Sequence, residues 1–324
     1  MKKIIVTGCA GYIGSVLTRI LLREGFAVIG VDYLAFGGQS LVDIYNDPAF
    51  SFVNADIRND KAVEEILITH KPYACVHLAA IVGDPACKKF EKDAESINMV
   101  ASKKLFELCS STGVSHFIFA STCSNYGKMT GTDAVTETST LNPVSFYART
   151  KVAMEEFMLS SSTKMNATVL RFSTVYGLSP RMRFDLTVNE FTRDLTMGKE
   201  LQIFGPEFWR PYCHVNDLAR SVVYVLNCED ISVVNNEVFN VGDNDENYQK
   251  QMIIREIQKV IPSAVITYVD QPDDPRDYRV NFDKIKKALG FKITKRVPDG
   301  IVEINSLLKN KILTDPYNSI YSNI

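Results

Sequence analysis

Near its start the chain passes from Lys3-Ile4-Ile5-Val6-Thr7 directly into Gly8-Cys9-Ala10-Gly11-Tyr12-Ile13-Gly14, and then into an amphipathic stretch that reaches residue 24. No other feature limits the fold as much. A β-branched run, three glycines at this spacing and a helix make a strand–turn–helix. In it Gly8 permits the tight turn, Gly11 lets the backbone approach a pyrophosphate and Gly14 lets the helix pack closely on the strand. The helix N-terminus then faces the anion. Three glycines alone are a weak signature. Asp32 strengthens it, because it ends the second β-branched run about 20 residues beyond the turn, where a carboxylate accepts the ribose hydroxyls of a dinucleotide. Its charge would repel the extra phosphate of NADP. NAD is therefore the expected cofactor, held by Gly8, Gly11, Tyr12, Ile13, Gly14 and Asp32. Asp56 and Ile57, just after the third run, are further cofactor candidates, with Asp56 near the adenine.

The alternation of short β-branched runs and longer amphipathic stretches continues. Strands are expected at 3–7, 27–32, 51–54, 74–78, 116–120 and 167–172, and helices at 12–24, 61–69, 94–111 and 146–161. This is the pattern of an α/β chain with a Rossmann-type, doubly wound parallel sheet. Gly25 and Gly113 fall where helix C-caps belong. After Arg171 the rhythm breaks, and Pro180, Pro206, Pro211, Pro262, Pro272, Pro275 and Pro298 divide the chain into short elements. A smaller, mixed C-terminal substrate lobe is expected there, with a strand at 237–241 returning to the main sheet. The cofactor domain is thus expected to comprise 1–172 plus about 210–243, and the substrate lobe about 173–209 plus 244–324. The tail after Leu308 reads as a frayed end.

With 36 Lys and Arg against 38 Asp and Glu, the formal charge of -2 leaves no basic excess for a nucleic-acid surface. Met1-Lys2-Lys3 before an apolar run imitates a signal peptide, but the glycines interrupt that run and no small-residue cleavage site follows. No apolar run approaches the ~20 residues of a membrane span. The seven cysteines lie apart, without a C-x-x-C pair or a histidine at ligand spacing. Neither a metal site nor a disulfide framework is expected, and a reducing cytoplasm fits.

Chemistry enters with Tyr147-Ala-Arg-Thr-Lys151, whose first and last members share one helix face. An ammonium beside a phenol stabilises the phenolate and lowers the tyrosine pKa from about 10, which would make a general base for a sugar hydroxyl. On its own the pair also describes a core tyrosine beside a solvated lysine. Ser121-Thr122 adds a third member, because it follows the apolar run 117–120 at the carboxyl end of a parallel strand, where open α/β sheets place ligands.

With the glycine turn, Asp32, Thr122, Tyr147 and Lys151 in this order, the sequence resembles the extended short-chain dehydrogenase/reductases over nearly its whole length. Within them it is closest to the NAD-dependent sugar-nucleotide epimerase/dehydratase group. The resemblance implies that Thr122 orients substrate, that Tyr147 is the acid/base and that Lys151 also holds the nicotinamide ribose. It extends to Leu78, Ala79 and Ala80 beside the cofactor and to Asn98 on the following helix. Arg210-Pro-Tyr-Cys-His-Val-Asn-Asp217 resembles a segment whose arginine grips the substrate diphosphate, and Arg276 matches a second such arginine. A nucleotide-diphosphate sugar is the implied substrate. Thr174 and Asn189 fall at substrate-contacting positions of the group, and Asn189 and the run 201–204 lie where its members hold the nucleotide base.

Dehydratases of the group carry Asp-Glu after the threonine, because eliminating water needs an added acid and base, whereas this chain has Cys123-Ser124. Oxidation at C4 is therefore implied, foremost as a 4-epimerase that keeps its NAD. Phe36-Gly-Gly-Gln-Ser40, Ser179-Pro-Arg-Met-Arg-Phe-Asp185 and Asp274-Pro-Arg-Asp-Tyr278 resemble a branch that includes GDP-heptose 4-dehydrogenases, which release the ketone. A 4,6-dehydratase with its acid elsewhere in the fold, and a dinucleotide sensor without catalysis, stay open. Family members pair the helices at 94–111 and 146–161 across a two-fold axis, so a homodimer is implied, with Met154, Phe157 and Met158 as candidate contacts.

Overall fold

The β-branched runs become strands in the computed structural model, which describes residues 1–128, 133–269 and 276–323. The first six are β1 (Lys3–Thr7), β2 (Ala27–Asp32), β3 (Phe50–Asn54), β4 (Ala74–His77), β5 (His116–Thr122) and β6 (Asn166–Phe172). Six more follow: β7 (Thr174–Tyr176), β8 (Leu201–Phe204), β9 (Trp209–His214), β10 (Glu237–Val241), β11 (Asn247–Gln249) and β12 (Ile266–Val269). Seven of these form one parallel sheet in the order β10-β6-β5-β4-β1-β2-β3. Sequence order reverses at β1, between β2 and β4, so a crevice opens at the carboxyl ends of these strands.

Continuous apolar strands need cover on both faces, and Ile4, Ile5 and Val6 are at most 2% exposed. The helices are α1 (Tyr12–Arg23), α2 (Asp60–His70), α3 (Asp84–Lys89), α4 (Glu91–Glu95), α5 (Ser102–Ser111) and α6 (Phe146–Ser160), then α7 (Thr187–Thr196), α8 (Val215–Leu226), α9 (Lys250–Val260), α10 (Asp283–Leu289) and α11 (Val297–Lys309). Leu17 and Leu21 of α1 meet Leu218 and Val222 of α8 on one face of the sheet. Leu67 of α2, Phe106 of α5 and Met154 and Met158 of α6 fill the other. Met154 and Met158, expected as candidates for a partner-facing surface, are therefore spent on the chain's own core, which leaves only Phe157 of that trio half-buried.

Two expectations are corrected. The helix foreseen at 94–111 is interrupted by a π-turn at Ser96–Ala101, between α4 and α5. The tail is not frayed: beyond α11 it returns, Tyr321 accepts a bond from the Phe184 amide (2.8 Å) and stacks edge-on against the Phe184 ring. Arg181 donates to the Ser322 carbonyl (3.0 Å), and the Asn323 amide donates to Asp185 (3.2 Å). An aromatic anchor and three hydrogen bonds replace the missing periodicity.

Outside the main sheet stand a three-stranded sheet, β11-β9-β7, and the parallel pair β12-β8. Tyr176, Ile203, Ile253, Ile257 and Ile301 form a separate core beneath α7, α9 and α11. Among the described residues no helix is long and apolar enough to cross a membrane.

Candidate active site

The glycine turn is held where the crevice opens. Gly8 has φ +75°, a conformation side chains rarely adopt, and a Cβ on it would lie 2.9 Å from the Ala79 amide nitrogen. A Cβ on Gly14 would lie 2.0 Å from the Gly8 carbonyl oxygen, so turn and helix touch backbone to backbone. Helix α1 begins after Gly11 with no side-chain cap and no acid in its first turn, which leaves its positive end for an anion from elsewhere. Asp32 accepts from the Ala10 amide (3.0 Å) and the Leu34 amide (2.8 Å), locking the end of β2 to the turn. Burial raises its pKa despite those two bonds. Narrow turn, open helix end and carboxylate together fit a dinucleotide.

Other cofactor expectations sort by geometry. Asp56 is tied by two oxygens to Arg58, and that bonding holds its carboxyl below the usual range, while Ile57 is buried beside Ile97 and Ala79. Asn98, on the π-turn, is 1% exposed; it accepts from the Ile81 amide and donates to the Ile81 carbonyl (both 2.9 Å), fixing the segment that follows Leu78, Ala79 and Ala80. Tyr12 reaches from the glycine turn to the Gly177 carbonyl (2.5 Å). Asn189 accepts from the Gly177 amide (2.9 Å) and donates to the Arg183 carbonyl (2.8 Å) and the Tyr12 hydroxyl (3.1 Å). It is 0% exposed. These bonds make Asn189 a brace between the glycine turn and the segment that holds Gly177 and Arg183.

Thr122 ends β5, and its hydroxyl oxygen accepts from the Ser124 amide (3.1 Å). That bond leaves the hydroxyl proton free to be donated toward a ligand oxygen. On α6, capped by Ser145, Lys151 donates to the Ala120 carbonyl (2.8 Å), and its ammonium lies 4.6 Å from the Phe119 ring centre and 5.8 Å from that of Tyr147. Burial pushes the Lys151 pKa down to about 8. Tyr147 differs from expectation: its pKa is raised, first by burial and then by the charges of Cys87 and Asp84, and Lys151 is turned to a carbonyl instead of to the phenol. The protein alone does not prepare a phenolate.

Behind this trio stands a group that periodicity does not reveal. Glu155, one turn beyond Lys151, accepts from Arg171 through both oxygens (Nη2–Oε2 2.7 Å), from Asn125 (2.8 Å) and from Ser121, the residue before Thr122. Arg171 also donates to the Tyr126 hydroxyl (2.9 Å), which donates to Asn240 on β10 (2.7 Å). The only signal in the sequence is the i,i+4 spacing of Lys151 and Glu155. A second buried chain links Thr7 to His77 Nδ1 (2.7 Å) and His77 Nε2 to Ser102 (2.8 Å), and burial lowers the His77 pKa to about 3, so it stays neutral.

On the opposite wall Arg210 lies over the Tyr278 ring (5.1 Å to its centre) and donates to the Trp209 carbonyl (2.6 Å). Arg276 pairs with Asp84, the first residue of α3, at 3.0 Å. The charges of both arginines bear on the buried Tyr278 phenol, so the two cations converge on one region. Asp274 and Pro275 of the same sequence segment lie outside the described residues. Thr174, on β7, is half-buried opposite Tyr212 of β9. Cys123 points away from the cleft: it is 1% exposed, its thiol donates to the Arg171 carbonyl (3.2 Å), and burial raises its pKa. Among the described residues no group of three His, Cys, Asp or Glu could hold a metal.

The NAD dependent epimerase/dehydratase family model matches residues 4–242. A UDP-glucuronate 4-epimerase of Thermodesulfobacterium geofontis is 28% identical, over 92% of this chain and 93% of the relative. A dTDP-glucose 4,6-dehydratase of an Actinoplanes species is also 28% identical, over 93% and 96%. The crystal structure of a Bacillus cereus UDP-glucuronic acid 4-epimerase in complex with UDP-glucuronic acid and NAD superimposes with a TM-score of 0.82 at 27% identity, covering 95% of this chain and 99% of that one.

Proposed function

The chain belongs to the NAD dependent epimerase/dehydratase family, extended short-chain dehydrogenase/reductase enzymes that modify sugar nucleotides with NAD, and from that premise we propose that it oxidises C4 of a nucleotide-diphosphate sugar, as a 4-epimerase that retains its cofactor. The turn at Gly8 to Gly14, the open end of α1 and Asp32 would hold the dinucleotide. NAD, when bound, supplies a hydride acceptor and donor beside the sugar carbon.

The observation that carries this reading is what surrounds Thr122. Its hydroxyl keeps a proton to donate to the C4 oxygen, while the next residue, Cys123, is turned into the core with its thiol engaged. No proton donor and acceptor pair follows the threonine to drive loss of water. Tyr147 takes the C4 hydroxyl proton and later returns it. Lys151, charged below about pH 8, supports the phenolate as it forms. Arg210 and Arg276 would hold the diphosphate, so that the 4-keto sugar can turn its other face without leaving.

A second reading, a 4-dehydrogenase that releases the ketone, is favoured by the segment Ser179–Asp185, which is built into the cleft wall: Ser179 donates to the Tyr12 carbonyl (2.7 Å) and sits 3.1 Å from the Ser15 hydroxyl. Incubating the purified protein with UDP-, GDP-, CDP- and dTDP-sugars and weighing the products separates the readings. A product of unchanged mass with inverted C4 supports the epimerase. A product two mass units lighter with NADH formed means the dehydrogenase, and a loss of eighteen overturns the argument from Cys123.

A further inference from the structure

Asp84, the partner of Arg276, has no assigned task. It opens α3 directly after the loop that leaves β4, and one of its oxygens, Oδ2, meets Arg276 at 3.0 Å. The other, Oδ1, is shut off from solvent, and no hydrogen-bond donor among the described residues reaches it. A carboxylate oxygen deprived of both water and a donor is costly, and native structures rarely leave one so. The field of this carboxylate also acts on the Tyr147 phenol and on the Cys87 thiol of the same helix. Asp84 therefore stands between a cation suited to a diphosphate and the phenol suited to the reacting hydroxyl.

We infer that Asp84 is a specificity-determining residue that accepts a hydrogen bond from a hydroxyl of the bound sugar through Oδ1 while Oδ2 holds Arg276 in position. This rests on the proposed sugar-nucleotide chemistry and narrows it to neutral sugars. A hexose or heptose carries hydroxyl donors on C3, beside C4, and on C6, beyond C5, and either satisfies the orphaned oxygen. A uronic acid keeps the C3 hydroxyl but carries a carboxylate in place of the C6 hydroxyl, which offers no proton there and repels Asp84.

The test is calorimetric titration of the NAD-loaded protein carrying Tyr147→Phe, so that bound sugar is not converted, with and without Asp84→Asn. The probes are UDP-glucose, GDP-mannose, UDP-glucuronate, UDP and GDP. A charged hydrogen bond corresponds to roughly tenfold to hundredfold in affinity. Asp84→Asn is expected to weaken the tighter neutral sugar nucleotide by that factor, to leave its parent nucleoside diphosphate within about twofold, and to improve UDP-glucuronate relative to UDP-glucose. Asp84→Ser, measured alongside with the melting temperature of each variant, guards against a folding effect. Equal weakening of sugar nucleotide and nucleoside diphosphate means that Asp84 only positions Arg276 and overturns the inference, as does no change in either. Turnover by the unmodified enzyme tests the functional reading separately, since the ratio of these affinities is read without catalysis.

Discussion

Replacing Glu155 by Gln keeps the shape of the side chain and removes its charge, which isolates what the buried ion pair behind the end of β5 contributes. The side chains of Arg171 and Glu155 are 5% and 2% exposed, so neither charge has water to fall back on. Burial works against the Arg171 charge, yet the bonds and charge of Glu155 outweigh it and hold the guanidinium above its ordinary pKa range. Glutamine accepts through one oxygen where the carboxylate serves Arg171, Asn125 and Ser121 through two. Leaving one member of such a pair uncompensated costs about 3–5 kcal/mol. At roughly 2 °C per kcal/mol for a chain of this size, the melting temperature should fall by about 6–10 °C. Circular dichroism melts of the NAD-loaded protein, at fixed cofactor concentration, read this directly. A fall of less than about 2 °C would mean that the pair is not holding the end of β5, and the account of how Thr122 is positioned would have to be abandoned.

Gly14→Ala places a methyl group 2.0 Å from the Gly8 carbonyl oxygen, so the turn must open; the ratio of NAD to protein after purification, read by absorbance, should drop several-fold, and full occupancy refutes the close packing. The Lys151 pKa is lowered from 10.5 to about 8, so the ammonium is lost as pH rises through about 8, and kcat/KM should decline above that value. For stability the sign is opposite: between about 8 and 10.5 the unfolded chain binds the proton that the folded one has released, so this group's penalty shrinks as pH rises. A kcat/KM profile that stays level through this window contradicts the role given to the Lys151 cation.

Much of the sheet is legible in the sequence because a central parallel strand, buried on both faces, must be a continuous apolar run, and 3–7, 27–32 and 116–120 are such runs. The pairing of Tyr147 with Lys151 is equally local, being one helical turn. What stays hidden depends on distant partners. Glu155 becomes a buried anion only because β6 brings Arg171 beside α6, and Asp84 acquires its meaning from Arg276, far away along the chain. The bracing of Gly177 and Arg183 by the Asn189 amide is likewise invisible before the fold brings them together. The lowered phenol pKa expected from the Tyr147–Lys151 spacing fails for the same reason, since the ammonium finds a better partner in the Ala120 carbonyl.

The return of the chain to the main sheet has a consequence for how the protein can be divided. β10 pairs with β6 along its whole length, from Glu237 beside Thr168 to Val241 beside Phe172, after an excursion through β7, β8 and β9. A fragment ending after β6 would leave that edge bare, with unpaired amides and carbonyls that recruit other chains. The first six strands are therefore not a module that can be borrowed or expressed by themselves. Closing an edge across so long an intervening stretch is slow, and it ties completion of the seven-stranded sheet to the formation of the elements that lie between β6 and β10.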